Sequence, residues 1–164
     1  NDTIMGGSSQ AICKMNPNGL LFEGNLVEEG GGFASCRSAV FAKPLNLSKF
    51  QGIEIEIEGE GRTLKISISC AKLNLDFSRF FYPRLKWIAP LNTNEKGISK
   101  IKIPFNKLIP VVRAKPLNVP FKFNSSCINQ FQLLHSKFGP PGQFNSNFVS
   151  GSFKIVIRSI KAYE

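Results

Sequence analysis

The chain is poor in the residues from which most catalytic and metal centres are built. It has one histidine, His135, one tryptophan, Trp87, and four cysteines with no Cys-x-x-C pair among them. Zinc sites need closely spaced Cys and His ligands, so this spacing argues against one. A general base at His135 would need a nucleophile or carboxylate partner, and none is identifiable in the sequence. No apolar run approaches the roughly 20 residues of a membrane-spanning helix, and no stretch offers three turns of amphipathic helix. Acidic residues are also scarce beyond the first third. Residues 1–60 carry four basic and eight acidic side chains, whereas residues 61–164 carry seventeen basic and only three acidic ones. The net charge of +10 therefore comes from the second part and favours polyanionic partners: an acidic protein face, an anionic membrane surface or RNA.

Glycine, by contrast, is concentrated in two early turns, "NDTIMGGSSQ" and "EEGGGFASCRS". Met5-Gly6 is internal and lacks the Ser or Thr of a myristoylation signal. Gly6-Gly7 and Gly30-Gly31-Gly32 are followed by neither a helical pattern nor Gly-Lys-Ser/Thr, which excludes a phosphate loop. They read as turns between strands. Cys13, Cys36, Cys70 and Cys127 are widely spaced and read as reduced, mostly buried thiols of an intracellular or organellar protein.

The apolar period is two almost throughout. "IEIEIEGEG" (53–61) sets three isoleucines against three glutamates, and "LKISISC" (64–70) repeats the alternation after a short connection, which reads as a hairpin with Lys65 opposite the glutamates. "ISKIKIPF" (98–105) and "FKIVIRSIKAY" (153–163) follow the same rule, and "GLLFEGNL", "ASCRSAVF", "LKWIAPL" and "INQFQLLH" are further strands. Ten prolines and fourteen glycines punctuate them, without repeat or linker. Residues 1–164 are expected to form one all-β domain, a β-sandwich or jelly roll. The glutamates of 54–60 read as a solvated sheet face rather than a hydrolytic carboxylate pair.

Taken in order, these segments resemble the complex I intermediate-associated protein 30 family. Asn1-Asp2-Thr3-Ile4-Met5-Gly6-Gly7-Ser8-Ser9 matches its opening stretch, and Gly19, Phe22 and Gly24 a G-x-x-F-x-G segment. Gly31-Gly32-Phe33-Ala34-Ser35-Cys36-Arg37, Leu45-Asn46-Leu47-Ser48 with Gly52, Gly59-Glu60-Gly61-Arg62, Ile103-Pro104-Phe105 and the closing Ile155–Tyr163 segment complete the series. "GGFASCRS", "GRTLK" and "QLLHSKFGPPG" are most similar to the cyanobacterial and algal plastid form. Three features depart from the family pattern. The tryptophan usual before the Asn-Asp start is missing, as if the first strand were cut off; Ser99 stands where a tryptophan is frequent; and Arg113-Ala114 replaces Arg-Gly. The resemblance implies a jelly-roll sandwich similar to galactose-binding and carbohydrate-binding modules. It also implies a non-catalytic assembly or accessory factor of a large membrane complex, respiratory or photosynthetic, with no cofactor, metal or small-molecule substrate. The expected setting is the stromal side of the thylakoid or the cyanobacterial cytoplasm, with the mitochondrial matrix as the alternative. On this reading Asn1, Asp2, Gly6, Gly7, Gly31, Gly32, Phe33, Arg37 and Arg62 are structural landmarks.

Three segments are candidate contact surfaces. "SRFFYPRLKW" (78–87) interleaves Arg79, Tyr82, Arg84 and Lys86 with aromatics, as protein hot spots and base-stacking surfaces do. It reads equally as a strand pair with its rings in the core. "VVRAKPLNVPFKF" (111–123), with Arg113 and Lys115, is a basic crossing loop or a partner surface. "LLHSKFGPPGQFNSNF" (133–148) adds Lys137 beside His135. Protein subunits of a membrane-associated complex are the expected partners, with RNA as the alternative. Carbohydrate binding rests on fold analogy and would need an exposed aromatic platform, for which Trp87 is the one indole available.

Overall fold

The computed structural model describes residues 8–71, 85–117, 122–139 and 143–164. Two antiparallel sheets pack face to face. The first has five strands in the order β1-β2-β11-β4-β7: Gln10–Asn16, Gly19–Leu26, Gly151–Tyr163, Gly52–Glu58 and Ser99–Pro104. The second has six in the order β3-β10-β5-β6-β8-β9: Phe33–Arg37, Ile128–Ser136, Thr63–Cys70, Leu85–Asn92, Ile109–Val112 and Lys115–Pro116. One 3₁₀ turn, Phe105–Lys107, follows β7. The all-β sandwich expected from the period-two pattern is the fold.

The alternation decides which residues meet. Ile53, Ile55 and Ile57 of β4 point inward beside Phe22, Ile103, Phe153 and Ile155 of the same sheet. They face Leu64, Ile66 and Ile68 of β5, flanked by Trp87, Ala89 and Leu91 of β6 and by Leu133 of β10. Each fully buried side chain of this size contributes on the order of 1.5–3 kcal/mol, so the interlocked isoleucines are the main source of stability.

The expected β4–β5 hairpin is not formed. The two strands lie in different sheets, and Gly59–Arg62 is a corner crossing between them. Both edges of each strand are taken by other partners: β11 and β7 flank β4, and β10 and β6 flank β5. Lys65 is therefore on the far side of the molecule from the glutamates. On the outer face of the first sheet Glu56 pairs instead with Lys100 (3.3 Å) and Lys161 (4.0 Å), and Arg158 donates to Glu58.

Three strands escape the sequence pattern. β1 is an edge strand with little burial, so its residues show no apolar alternation. β8 and β9 form a short hairpin where a crossing loop was expected, because Arg113 (φ 50°) and Ala114 (φ 63°) both adopt left-handed backbone. That is the conformation of a tight hairpin turn, for which glycine is the usual residue. Replacing Ala114 with Gly removes the Cβ strain; the A114G variant is expected to be more stable by about 1 kcal/mol, roughly 2–4 °C in thermal melts.

The cysteines also differ from expectation. Cys13 on β1 and Cys36 on β3 form a disulfide with their Cα atoms 6.1 Å apart, whereas Cys70 and Cys127 are free. β1 and β3 are the edge strands at the same side of the two sheets, so their inward-leaning thiols meet across the gap in a way that the separation of 23 residues does not disclose. A cross-link closing such a loop contributes about 3 kcal/mol. Reductant is expected to lower the melting temperature by roughly 5–10 °C. The C13S/C36S double variant should melt at the lower temperature with or without reductant, and an unchanged melt of the wild type in reductant would refute the bond.

Candidate functional site

The outer face of the second sheet carries a cleft in which a few polar and cationic groups are set among apolar ones. Its floor alternates with the core: Lys65, Ser67 and Ser69 of β5 point away from the isoleucines, as do Lys86 and Ile88 of β6 and Gln132 and Leu134 of β10. Register sets the rows. Gln132 is paired with Arg37 on one side and Ser67 on the other, and Ser67 with Ile88; Leu134 is paired with Lys65, and Lys86 with Val111. The segment after β10 folds over the edge of the face, bringing Phe138, Gly139 and Gln143 to it, and Ala114 closes the opposite rim. Together they enclose a cleft of about 180 Å³.

Both lysines are held in place by neutral acceptors. Lys65 Nζ donates to the carbonyls of Phe138 (2.6 Å) and Gly139 (3.1 Å), and Lys86 Nζ donates to Ser69 Oγ (2.5 Å). Burial pushes the Lys65 ammonium below its usual range. Burial, and then the charge of Arg37, do the same to Lys86. On the outer face of the first sheet the balance is opposite: hydrogen bonding from Lys100 holds the Glu56 carboxyl below its usual range.

Of the contact residues expected from sequence, Lys86 lies on this face, and Arg113 and Lys115 are exposed on the β8–β9 hairpin at its border. Lys137 is at the other rim, donating to the Glu28 carbonyl (3.1 Å) and lying over the Phe138 ring. Arg79, Tyr82 and Arg84 lie outside the described residues, as do Asn1, Asp2, Gly6 and Gly7. Trp87 points into the core against Phe123 and is no surface platform. Among the described residues the large exposed rings are Phe138 and Phe144, stacked at 6.3 Å.

The landmark residues are placed by packing. Gly32 (φ 87°) lets the chain pass under Lys137, whose Cδ would lie 2.8 Å from a Cβ there, and Lys137 N donates to its carbonyl. Gly31 closes the preceding turn on Glu28, Phe33 opens β3 and Arg37 ends it. Arg62 is buried and donates to the carbonyls of Val149 (2.7 Å) and Ser152 (2.9 Å). Ser99, where the family often has tryptophan, is buried and accepts from the Asn94 amide (2.8 Å). Lys65 was missed as a surface residue because the strand pair was read as a hairpin. Its alternation with Leu64 and Ile66 carried the signal.

His135 is wholly buried, edge-on to Phe153 and tilted against Phe148. Neither ring nitrogen has a hydrogen-bond partner among the described residues. Burial, and then the charge of Arg62, lower its pKa to about 3. Such a histidine stays neutral and serves as a core residue. Among the described residues no group of three or more His, Cys, Asp or Glu could hold a metal ion.

Compared with known proteins, the chain matches the family described as complex I intermediate-associated protein 30 over residues 1–157. The chain belongs to that family. An uncharacterized protein of Schizosaccharomyces pombe is 26% identical over 144 residues, 81% of this chain. The chain spans 58% of the length of that curated relative. Solved structures show the same sandwich. A family 11 carbohydrate-binding module of the Clostridium thermocellum cellulase Lic26A-Cel5E superposes with a TM-score of 0.59 at 14% identity, covering 96% of this chain and 82% of the module. The family 11 module in complex with a mixed-linked tetrasaccharide gives 0.58 at 15% identity, covering 95% and 81%. An agarase gives 0.55 at 7% identity over 96% of this chain and 22% of its own. At these identities the likeness concerns the fold alone. The complex I intermediate-associated protein 30 family is one of assembly factors rather than enzymes, and its sandwich fold is the one expected.

The buried histidine makes stability pH-dependent. An unfolded chain takes up a proton on His135 near pH 6.5, while the folded one does not until about pH 3. Stability is thus greatest above 6.5 and falls with acidification, by about 1.4 kcal/mol per pH unit below that value. Denaturant titrations at pH 7 and pH 5 should differ by about 2 kcal/mol in the wild type. In the H135F variant that part of the difference should vanish.

Proposed function

We propose that this domain is a non-catalytic protein-binding module that helps assemble, or remains attached to, a large membrane-associated energy-converting complex. The observation that carries the reading is the family match over residues 1–157, nearly the full chain. Membership supports association with subunits of complex I or a related assembly. The plastid-like wording of "GGFASCRS" and "QLLHSKFGPPG" favours a photosynthetic complex, on the stromal side of the thylakoid or in the cyanobacterial cytoplasm, over a respiratory one in the mitochondrial matrix. The disposition of side chains fits binding better than catalysis: the histidine is sealed in the core and the glutamates of β4 face solvent beside cations.

A tagged copy used to capture partners from detergent-solubilised native membranes, with and without nuclease, tests the reading by mass spectrometry. Recovery of the subunits of one complex in both conditions is the expected result. Recovery that collapses after nuclease treatment would assign the domain to RNA instead, because protein contacts survive loss of the phosphate backbone.

A further inference from the structure

The strands of the two sheets differ in a way that composition alone conceals. Those of the first sheet contain six cations and four glutamates, and the glutamates sit beside cations: Lys14 with Glu23, Lys100 and Lys161 with Glu56, Arg158 with Glu58. The six strands of the second sheet contain Arg37, Lys65, Lys86 and Lys115 and not one Asp or Glu. Two of these cations, Lys65 and Lys86, line the cleft, and among the described residues their hydrogen-bond partners are carbonyl and hydroxyl oxygens. Partly desolvated ammoniums held by neutral acceptors are costly, and an arriving carboxylate offsets part of that cost.

We infer that the cleft on the outer face of the second sheet is a docking site for an acidic segment of a partner protein, whose carboxylates seat on Lys65 and Lys86 with Arg37 alongside. This deepens the protein-binding reading above and rests on it. Charge complementarity selects an anion, and the shape selects its class. The cleft of about 180 Å³ is smaller than the roughly 300–1,000 Å³ of sites that engulf small ligands, and suits one or two side chains of an extended chain laid along the strands. Its floor offers Ser67, Gln132 and Gln143 as hydrogen-bonding groups and Ile88 and Leu134 as apolar ones. Among the described residues no aromatic ring lies on that floor, so β5, β6 and β10 themselves provide no stacking surface for unpaired bases. Phe138, half exposed at the rim, gives the apolar neighbour of an acidic residue somewhere to pack.

The test is a ¹⁵N–¹H titration of the intact domain with hexaglutamate, alongside hexaglutamine, a six-nucleotide adenine RNA, the mixed-linked tetrasaccharide and phosphatidylglycerol vesicles. Hexaglutamate is expected to shift the amides of Ser67, Ser69 and Gln132. The K65Q/K86Q variant, first shown to keep the wild-type melting temperature, should weaken that binding roughly tenfold or more. K100Q/K102Q, on the opposite sheet, should leave it unchanged. Shifts confined to the first sheet, binding untouched by K65Q/K86Q, or tighter binding of RNA, tetrasaccharide or vesicles at these residues would each overturn the inference. If K65Q/K86Q loses its fold, the single variants K65M and K86M, which retain the aliphatic stems, replace it under the same criteria. Capture from native membranes separates the two readings. A complex recovered equally by wild type and K65Q/K86Q refutes the site but keeps the assembly role. Hexaglutamate bound at the cleft, with no complex recovered, refutes the assembly role and keeps the anion site.

Discussion

Arg62 carries its charge into the corner where the chain leaves one sheet for the other, and the carbonyls of Val149 and Ser152 take up its guanidinium. Glu60 lies 3.7 Å from Nε, the Arg62 amide donates back to Gly59, and the Arg62 carbonyl accepts from both the amide and the hydroxyl of Thr93. A buried arginine left without these acceptors would cost several kcal/mol, so the corner is specified as well as stabilised. It ties the β4–β5 crossing to the start of β11, the central strand of the first sheet, and so fixes how the two sheets are set against each other. The same charge reaches His135 and helps to keep that ring neutral in the core. The Gly59-Glu60-Gly61-Arg62 element therefore acts as the fastening of a sandwich rather than as a ligand loop.

From that crossing follows the division of charge between the two outer faces. Had β4 and β5 formed a hairpin, Lys65 would lie opposite the glutamates and the surface would be neutralised locally. Because the chain crosses, the acidic stripe of β4 meets Lys100, Lys161 and Arg158 on one side of the molecule. The lysines of β5 and β6 are left on the other without a carboxylate in any strand of their sheet. Net charge reports a surplus; topology decides where it is left uncompensated. A +10 chain with its cations evenly paired would carry a diffuse field, whereas here two of them are concentrated in a concavity.

Much of the fold was legible because its strands are two-faced. β4, β6 and β7 bury alternate residues, and β2, β5, β10 and β11 keep an apolar stripe on the core face although neighbouring residues are buried too, so the pattern survives in sequence. β1 was not legible: an edge strand that buries little of either face has no apolar alternation to show. The β8–β9 turn was hidden because Arg113-Ala114 lacks the glycine that would have announced it. Pairing across the sandwich was less accessible still. A short connection between two alternating strands is compatible with a hairpin or a crossing, and what decides between them is which distant strands take the two edges of each. The position of Lys65 depends on that decision, whereas the Cys13–Cys36 bond depends on β1 and β3 being edge strands at the same side of the two sheets.

The cleft gains its character from being built on strands rather than loops. The backbone of Lys65 is fixed by ladders on both sides and that of Lys86 by its pairing with Val111 of β8, and their ammonium groups are held by acceptors before any partner arrives. Less side-chain entropy remains to be lost on binding than for two free surface lysines, whose exposed pairs contribute little. A rigid floor also sets a spacing: successive residues along a strand advance about 3.3 Å and alternate in direction, so the outward groups at Lys65, Ser67 and Ser69 stand roughly 6–7 Å apart. An extended acidic segment presents its own alternate side chains at the same interval. The period that buries the isoleucines on one face thus writes a matching ruler on the other.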